Sequence, residues 1–308
     1  MQPPFPQAKR FPQAPPGAAS LGLMSSWAIR SGVLSLDRPV ILGIINVTPD
    51  SFSDGGKFFS PELAVEQGLR LVEDGADVLD VGGESTRPQG AKTVDVAEEL
   101  RRVMPVVRSL RERLPQVPLS VDTVKSGVAR AVLDEGVEII NDVSAFRLDP
   151  AMAEVCASAR AGVILMHSRG GVSEMGTYRF ATYGADVMGD VIGELQSAAT
   201  AAECAGVERT RLALDPGVGF AKRTEHSVAV IGALDRLAEL GYPVAIGVSR
   251  KRVVGELSGV TTPADRVDGT IAANVMALTL GARIFRVHDV RAARRALDVA
   301  WSILQSRD

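Results

Sequence analysis

The stretch that decides the fold opens with VILGIINV (residues 40–47), runs through PELAVEQGLRLVEDG (61–75) and closes on DVLDVGG (77–83). The first and last segments are apolar, β-rich runs of strand length. The middle one is amphipathic at helical spacing. Two strands buried on both faces with a helix between them make a parallel βαβ unit. The rhythm then repeats. PLSVDT (118–123), EIINDVS (138–144), GVILMH (162–167), RLALDPG (211–217), PVAIGVS (243–249) and RIFRVHD (283–289) read as strands. Each precedes a helix-like segment, as DVAEELRRVMPVVRSLRERL (95–114) follows the second strand. Eight strand–helix units between residues 39 and 305 are the arithmetic of an α/β protein of the (β/α)8, or TIM, barrel type. A doubly wound open sheet is the rival on pattern alone.

Outside this rhythm the chain changes character. Pro3, Pro4, Pro6, Pro12, Pro15 and Pro16 crowd the first residues, so 1–24 is expected to be a disordered Pro-rich tail. WAIRSGVLSL (27–36) reads as a short β-hairpin around a Ser-Gly turn. One barrel domain is expected over 25–308, with its core from about 39 to 305.

Composition narrows the function. In 308 residues, 34 Lys and Arg stand against 37 Asp and Glu, which argues against a nucleic-acid partner. Cys156 and Cys204 are too few for a disulfide scaffold or a cysteine zinc ribbon. No apolar run reaches the roughly 18–20 residues of a membrane span, and no apolar h-region follows Lys9 and Arg10. A cytoplasmic protein with no membrane partner is expected.

Polarity interrupts the strands at their C-terminal edges: Asn46 and Thr48; Gly82 to Arg87; Asp122 and Thr123; Asn141 and Asp142; His167; Asp215 and Gly217; Ser249, Arg250 and Lys251; Arg286 and His288. One such cluster is an ordinary helix cap. Eight clusters of acids, bases and amides on one rim point to an active site. Arg286 and His288, two apart on a strand, aim at one side and suggest an anion, with Arg250 and Lys251 nearby. Residues 48–56 and 84–90 read as loops over that rim. The glycines around Gly217 and Gly219 make only a weak dinucleotide fingerprint. His167, His226 and His288 are too scattered for a catalytic zinc, and His167 reads as a hydrogen-bonded buried residue.

NVTPDSFSDGG (46–56) and GGESTRP (82–88) closely resemble the signature loops of the dihydropteroate synthase family, and VDT, INDVS, LMH, LDPGVGF, GVSRK and RVHDV follow in the family's order. The resemblance implies a (β/α)8 barrel that joins 7,8-dihydropterin-6-ylmethyl diphosphate to 4-aminobenzoate in folate synthesis. It implies that Asp215 accepts from the pterin's amine and ring N–H, helped by Asp122 and Asn141. Lys251 would donate to the ring, Met166 would line the slot and Arg286 would stack on it. Thr86, Arg286 and His288 would hold the diphosphate, and Asn46 would ligate Mg2+. Phe52, Thr86, Pro88, Phe220 and Ser249 would form the aminobenzoate pocket. An SN1-like displacement is implied, with Asp50 and Asp54 beside the developing cation and Lys251 and Arg286 assisting. A homodimer is implied too, and sulfonamides are expected in the aminobenzoate pocket.

Four positions depart from the family pattern: the inserted Gln89, Ser168, His226 and Arg252. None removes an expected ligand. Gln89 is expected to alter closure of the second loop. Two rivals share the barrel: a non-catalytic paralogue, and a pterin-dependent methyltransferase that needs no diphosphate site.

Overall fold

The computed structural model describes residues 25–48, 60–84 and 93–306. The tail expected over residues 1–24 lies outside them. The chain starts with the hairpin β1 (Ser26–Ile29) and β2 (Gly32–Ser35), antiparallel, with Trp27 opposite Leu34. The barrel then begins with β3 (Val40–Asn46), α1 (Pro61–Glu73), β4 (Val78–Gly82), α2 (Val96–Arg113), β5 (Leu119–Asp122) and α3 (Ser126–Asp134). It continues with β6 (Ile139–Asp142), α4 (Met152–Ala159), β7 (Gly162–Met166), α5 (Val172–Met175), α6 (Val187–Cys204) and β8 (Leu212–Asp215). α7 (Thr224–Gly232), α8 (Leu234–Ala238), β9 (Val244–Ile246), α9 (Arg252–Ser258), α10 (Val267–Thr279), β10 (Ala282–Val287) and α11 (Val290–Gln305) complete it. The strands β3 to β10 form a closed parallel barrel in chain order, and β10 pairs with both β9 and β3 to shut it. The open-sheet rival is thereby excluded.

Local chemistry sets the element ends. The Ser60 side chain accepts from the backbone N–H of Leu63, with Pro61 at the first helical position of α1. Asp95 caps α2 through the Glu98 N–H at 2.8 Å. In the strands, side chains alternate between the helix layer and the barrel interior. Ile41, Ile45, Leu79, Val81, Val121, Leu165, Leu214 and Phe285 pack outward in the main core. Leu42, Val78, Ile139, Ile164, Ala213, Ala245 and Ile284 pack together in the interior.

Two residues further along β4, β6, β8 and β10, the interior turns polar. Val78 is followed inward by Asp80, Ile139 by Asn141, Ala213 by Asp215 and Ile284 by Arg286. The barrel is thus apolar at its N-terminal end and charged at its C-terminal end. The hairpin seals the apolar end. Trp27 is fully buried among the interior residues, and its Nε1–H donates to the Arg211 carbonyl at 2.8 Å. Arg211 returns a bond to the Ile29 carbonyl at 2.9 Å.

Removing this plug leaves a cavity and an unpaired carbonyl. Trp27→Ala is expected to lower unfolding free energy by about 3–5 kcal/mol, measured by urea denaturation. A loss below about 1 kcal/mol would show that the hairpin is not part of the core.

Candidate active site

The polar level of the barrel gathers residues from most of its strands. Asn46 ends β3, and Asp80 lies in β4 with Gly82 above it. Ser120 and Asp122 come from β5, Asn141 from β6, Met166 from β7, Asp215 from β8 and Arg286 from β10. Register brings Gly82 opposite Asp122 and Asp122 opposite Asn141. At the rim, Ser249 and Lys251 follow β9, and His288 follows β10. Of the residues expected from sequence, Asn46, Asp122, Asn141, Met166, Asp215, Ser249, Lys251, Arg286 and His288 converge on one mouth. Asp50, Phe52, Asp54, Thr86, Pro88 and Gln89 lie outside the described residues.

Charges are closely paired inside the mouth. Arg286 donates from Nε to Asp80 Oδ2 at 2.6 Å and from Nη2 to Asp122 Oδ2 at 2.9 Å. The second oxygen of Asp80 accepts from Ser120 Oγ at 2.6 Å. Asn141 Nδ2 reaches Asp80 Oδ2 at 3.4 Å. Burial raises the carboxyl of Asp122, with Arg286 pulling the other way. Asp215 is also raised by burial against the pull of Lys251. Burial pushes the Lys251 amine down to about 8, opposed by Asp215.

The turn after β8 is held by two lysines. Lys251 Nζ donates to the Val218 carbonyl at 2.5 Å and sits 4.4 Å from the Phe220 ring centre. Lys222 is fully buried, and its Nζ lies 3.2 Å from the carbonyls of Gly217 and Phe220. It is also 2.8 Å from His167 Nδ1. Burial, then Lys222, pushes His167 down to about 4. The neutral ring therefore accepts at Nδ1 and donates from Nε2 to Glu194, 3.1 Å away. His167 is thus a buried hydrogen-bonded residue, as its sequence position suggested. Phe220 is only half-buried, beside Met166, Val124, Val143, Val172 and Met175, so it lines the mouth rather than the core. Ser249 Oγ accepts from the His288 N–H at 3.1 Å and lies 3.0 Å from His288 Nδ1.

Some expectations are corrected. Arg250 does not join Lys251 as an anion-binding cation, because Asp289 holds it through bonds of 2.9 and 2.5 Å. Three departures from the family pattern have local partners: Ser168 Oγ donates to the Val143 carbonyl at 2.6 Å, His226 packs edge-on to Tyr183, and Arg252 lies over Tyr178. Sequence reasoning missed Asp80, Ser120, Lys222 and Glu194. The one available signal was an acid inside the apolar run VLDVG.

No three His, Cys, Asp or Glu side chains gather as a metal cage among the described residues. The donor set does suit a cation shared with a ligand. A Cβ on Gly82 would stand 4.0 Å from Asn46 Oδ1 and 3.8 Å from Asp122 Oδ2. Absence of that side chain leaves both oxygens facing one space. Hard cations bind such oxygens and complete their shell from phosphates and water.

A closed barrel with a mouth of this composition is a pterin-binding enzyme fold, and residues 42–288 match the family of pterin binding enzymes. Dihydropteroate synthase of Mycobacterium leprae is 43% identical over 275 residues, covering 87% of this chain and 95% of that protein. The structure of Xanthomonas albilineans dihydropteroate synthase with 4-aminobenzoic acid is 47% identical with a TM-score of 0.84, covering 92% of this chain and 98% of that one. That enzyme in complex with 7,8-dihydropteroate is 45% identical with a TM-score of 0.78, covering 89% and 96%. The chain belongs to the dihydropteroate synthase family.

Gly217 is the tightest point of the mouth. Its φ is +68°, and a Cβ there would lie 1.8 Å from the His167 carbonyl oxygen. Gly217→Ala is expected to cost roughly 2–5 kcal/mol, read by thermal and urea unfolding. Wild-type stability would show that the turn relaxes freely.

Proposed function

We propose that this chain joins 7,8-dihydropterin-6-ylmethyl diphosphate to 4-aminobenzoate, giving 7,8-dihydropteroate and diphosphate on the way to tetrahydrofolate. The observation that carries this reading is the polar level of the barrel, where Asp122, Asn141, Asp215 and Arg286 turn inward beneath Lys251. The relatives solved with 4-aminobenzoic acid and 7,8-dihydropteroate support the two substrate classes.

Each residue type suits its assigned part. The pterin edge offers an exocyclic amine and a ring N–H, and the buried carboxylate of Asp215 accepts both. Asn141 and Asp122 extend that polar edge. The protonated Lys251 donates to the ring's acceptors. Arg286 lays its flat face on the pterin, while Met166 closes the slot. Thr86, Arg286 and His288 bind the diphosphate. Asn46, beside Asp122, would supply oxygen to Mg2+, and the ion would contribute neutralisation of the diphosphate charge. The C–O bond to diphosphate breaks first, and the electron-rich pterin carries the resulting methylene cation near Asp50 and Asp54. The neutral arylamine nitrogen then forms the C–N bond and loses a proton. Phe52, Thr86, Pro88, Phe220 and Ser249 hold the aminobenzoate.

The composition and the unpaired Cys156 and Cys204 suit the reducing cytoplasm, and no described helix is long and apolar enough to cross a membrane. The homodimer is supported by exposed apolar side chains on helices that pack against one another: Val228 on α7, Leu257 on α9 and Met276 on α10. Leu257→Glu with Met276→Glu is expected to yield a monomer in light scattering. An unchanged dimer would move the interface elsewhere.

Diphosphate release from the pterin substrate with Mg2+ is expected to require aminobenzoate and to fall by at least about a hundredfold in Lys251→Ala. Tight pterin binding without release would favour the non-catalytic paralogue. Binding indifferent to the diphosphate would favour the methyltransferase. Lys251 donates only when protonated, and its amine lies at about 8. kcat/KM for the pterin substrate is therefore expected to fall as pH rises through about 8. Lys251→Arg should move that limb upward, and an unmoved limb would assign it to another group.

A further inference from the structure

Asp80 is a charged side chain where the barrel interior has just ceased to be apolar. It is completely buried, one step above Val78 on the same inward face of β4. An isolated carboxylate there is costly unless paired and fully hydrogen-bonded. Its two oxygens are used differently. Oδ1 is anchored by Ser120 Oγ at 2.6 Å, from an equally buried neighbour on β5. Oδ2 meets Arg286 Nε at 2.6 Å and Asn141 Nδ2 at 3.4 Å. None of this reaches the rim, and Ser120 is not placed in any substrate subsite.

The arrangement fixes a plane. The Arg286 guanidinium is held by Asp80 at Nε and by Asp122 at Nη2. Two anchors on adjacent nitrogens, together with the side-chain stem, leave the planar group no rotation about its long axis. Asp122 alone would leave a single pivot. We propose that Asp80, braced by Ser120, is the positioning residue of the pterin subsite, orienting the face of Arg286 and the carboxamide of Asn141 without touching substrate. This rests on the pterin reading of the mouth given above.

The test is a double-mutant cycle on the full chain with Asp80→Asn, Arg286→Gln and both together, using the pterin diphosphate and 4-aminobenzoate. Asp80→Asn keeps the shape and removes the charge. Its expected effect is a loss of at least about tenfold in kcat/KM for the pterin substrate, with the aminobenzoate KM within about twofold. Adding it to Arg286→Gln should cost less than about twofold more. Multiplying losses, or equal damage to both substrates' KM values, would overturn the proposal. If Asp80→Asn fails to fold, Ser120→Ala leaves the carboxylate in place and should show a smaller loss with the same dependence on Arg286. The Arg286 Nε–H resonance gives a readout independent of turnover. It is expected to be slowly exchanging and strongly downfield in the unsubstituted chain, and shifted in Asp80→Asn. An unsubstituted chain without turnover but with that resonance overturns the pterin reading and not the anchoring. An unshifted resonance in Asp80→Asn overturns the anchoring whatever the activity.

Discussion

Arg286 lies 206 residues after Asp80 and 164 after Asp122, yet bonds of 2.6 and 2.9 Å join it to both. They meet because β10 pairs with β3 and shuts the sheet. Asp80 is completely buried, so parting it from its cation is expensive: removing one partner of a buried pair typically costs about 3–5 kcal/mol. The mouth and the closure of the barrel are therefore one problem. An open sheet would leave Asp80 and Asp122 as neighbouring acids without their cation.

Above this cluster the mouth is built by strand ends and by one stiff turn. Alternation makes every second residue face inward, so a strand two residues longer supplies a polar group above an apolar one. The turn from Asp215 to Lys222 works by a different principle. Its carbonyls at Gly217, Val218 and Phe220 are taken up by two lysines, and the Asp215 carboxylate accepts from the Gly217 N–H at 2.7 Å. Two amines thus brace the backbone that positions an acid. Neutral His167 suits this place, because a protonated ring would repel Lys222.

Much of the architecture could be read from the chain. The near-continuous apolar strands, their spacing and the hairpin around Gly32 depend on local pattern, and the structure carries each of them. The mouth residues at strand ends were also legible, because polarity there breaks an apolar run. Asp80 was not, since its meaning depends on partners from β5, β6 and β10, and a single acid within a strand names none of them. Lys222 was hidden in a glycine-rich segment that resembles a weak nucleotide motif. One of its partners, His167 just after β7, lies 55 residues earlier. Arg250 illustrates the converse. Sequence placed it beside Lys251, while a left-handed backbone with φ of 59° and Asp289 turn it away.

The hairpin adds a matter of timing. Trp27 is synthesised early, but its acceptor on Arg211 follows 184 residues later. Contacts between such distant parts of a chain form slowly, because long loops must close first. A chain emerging from the ribosome will therefore hold its plug unseated until β8 has appeared. It will also expose the edges of β3 and β9 until β10 arrives. That last strand delivers the missing edge and the missing arginine together, so the nascent protein becomes both aggregation-resistant and charge-balanced in a single late step.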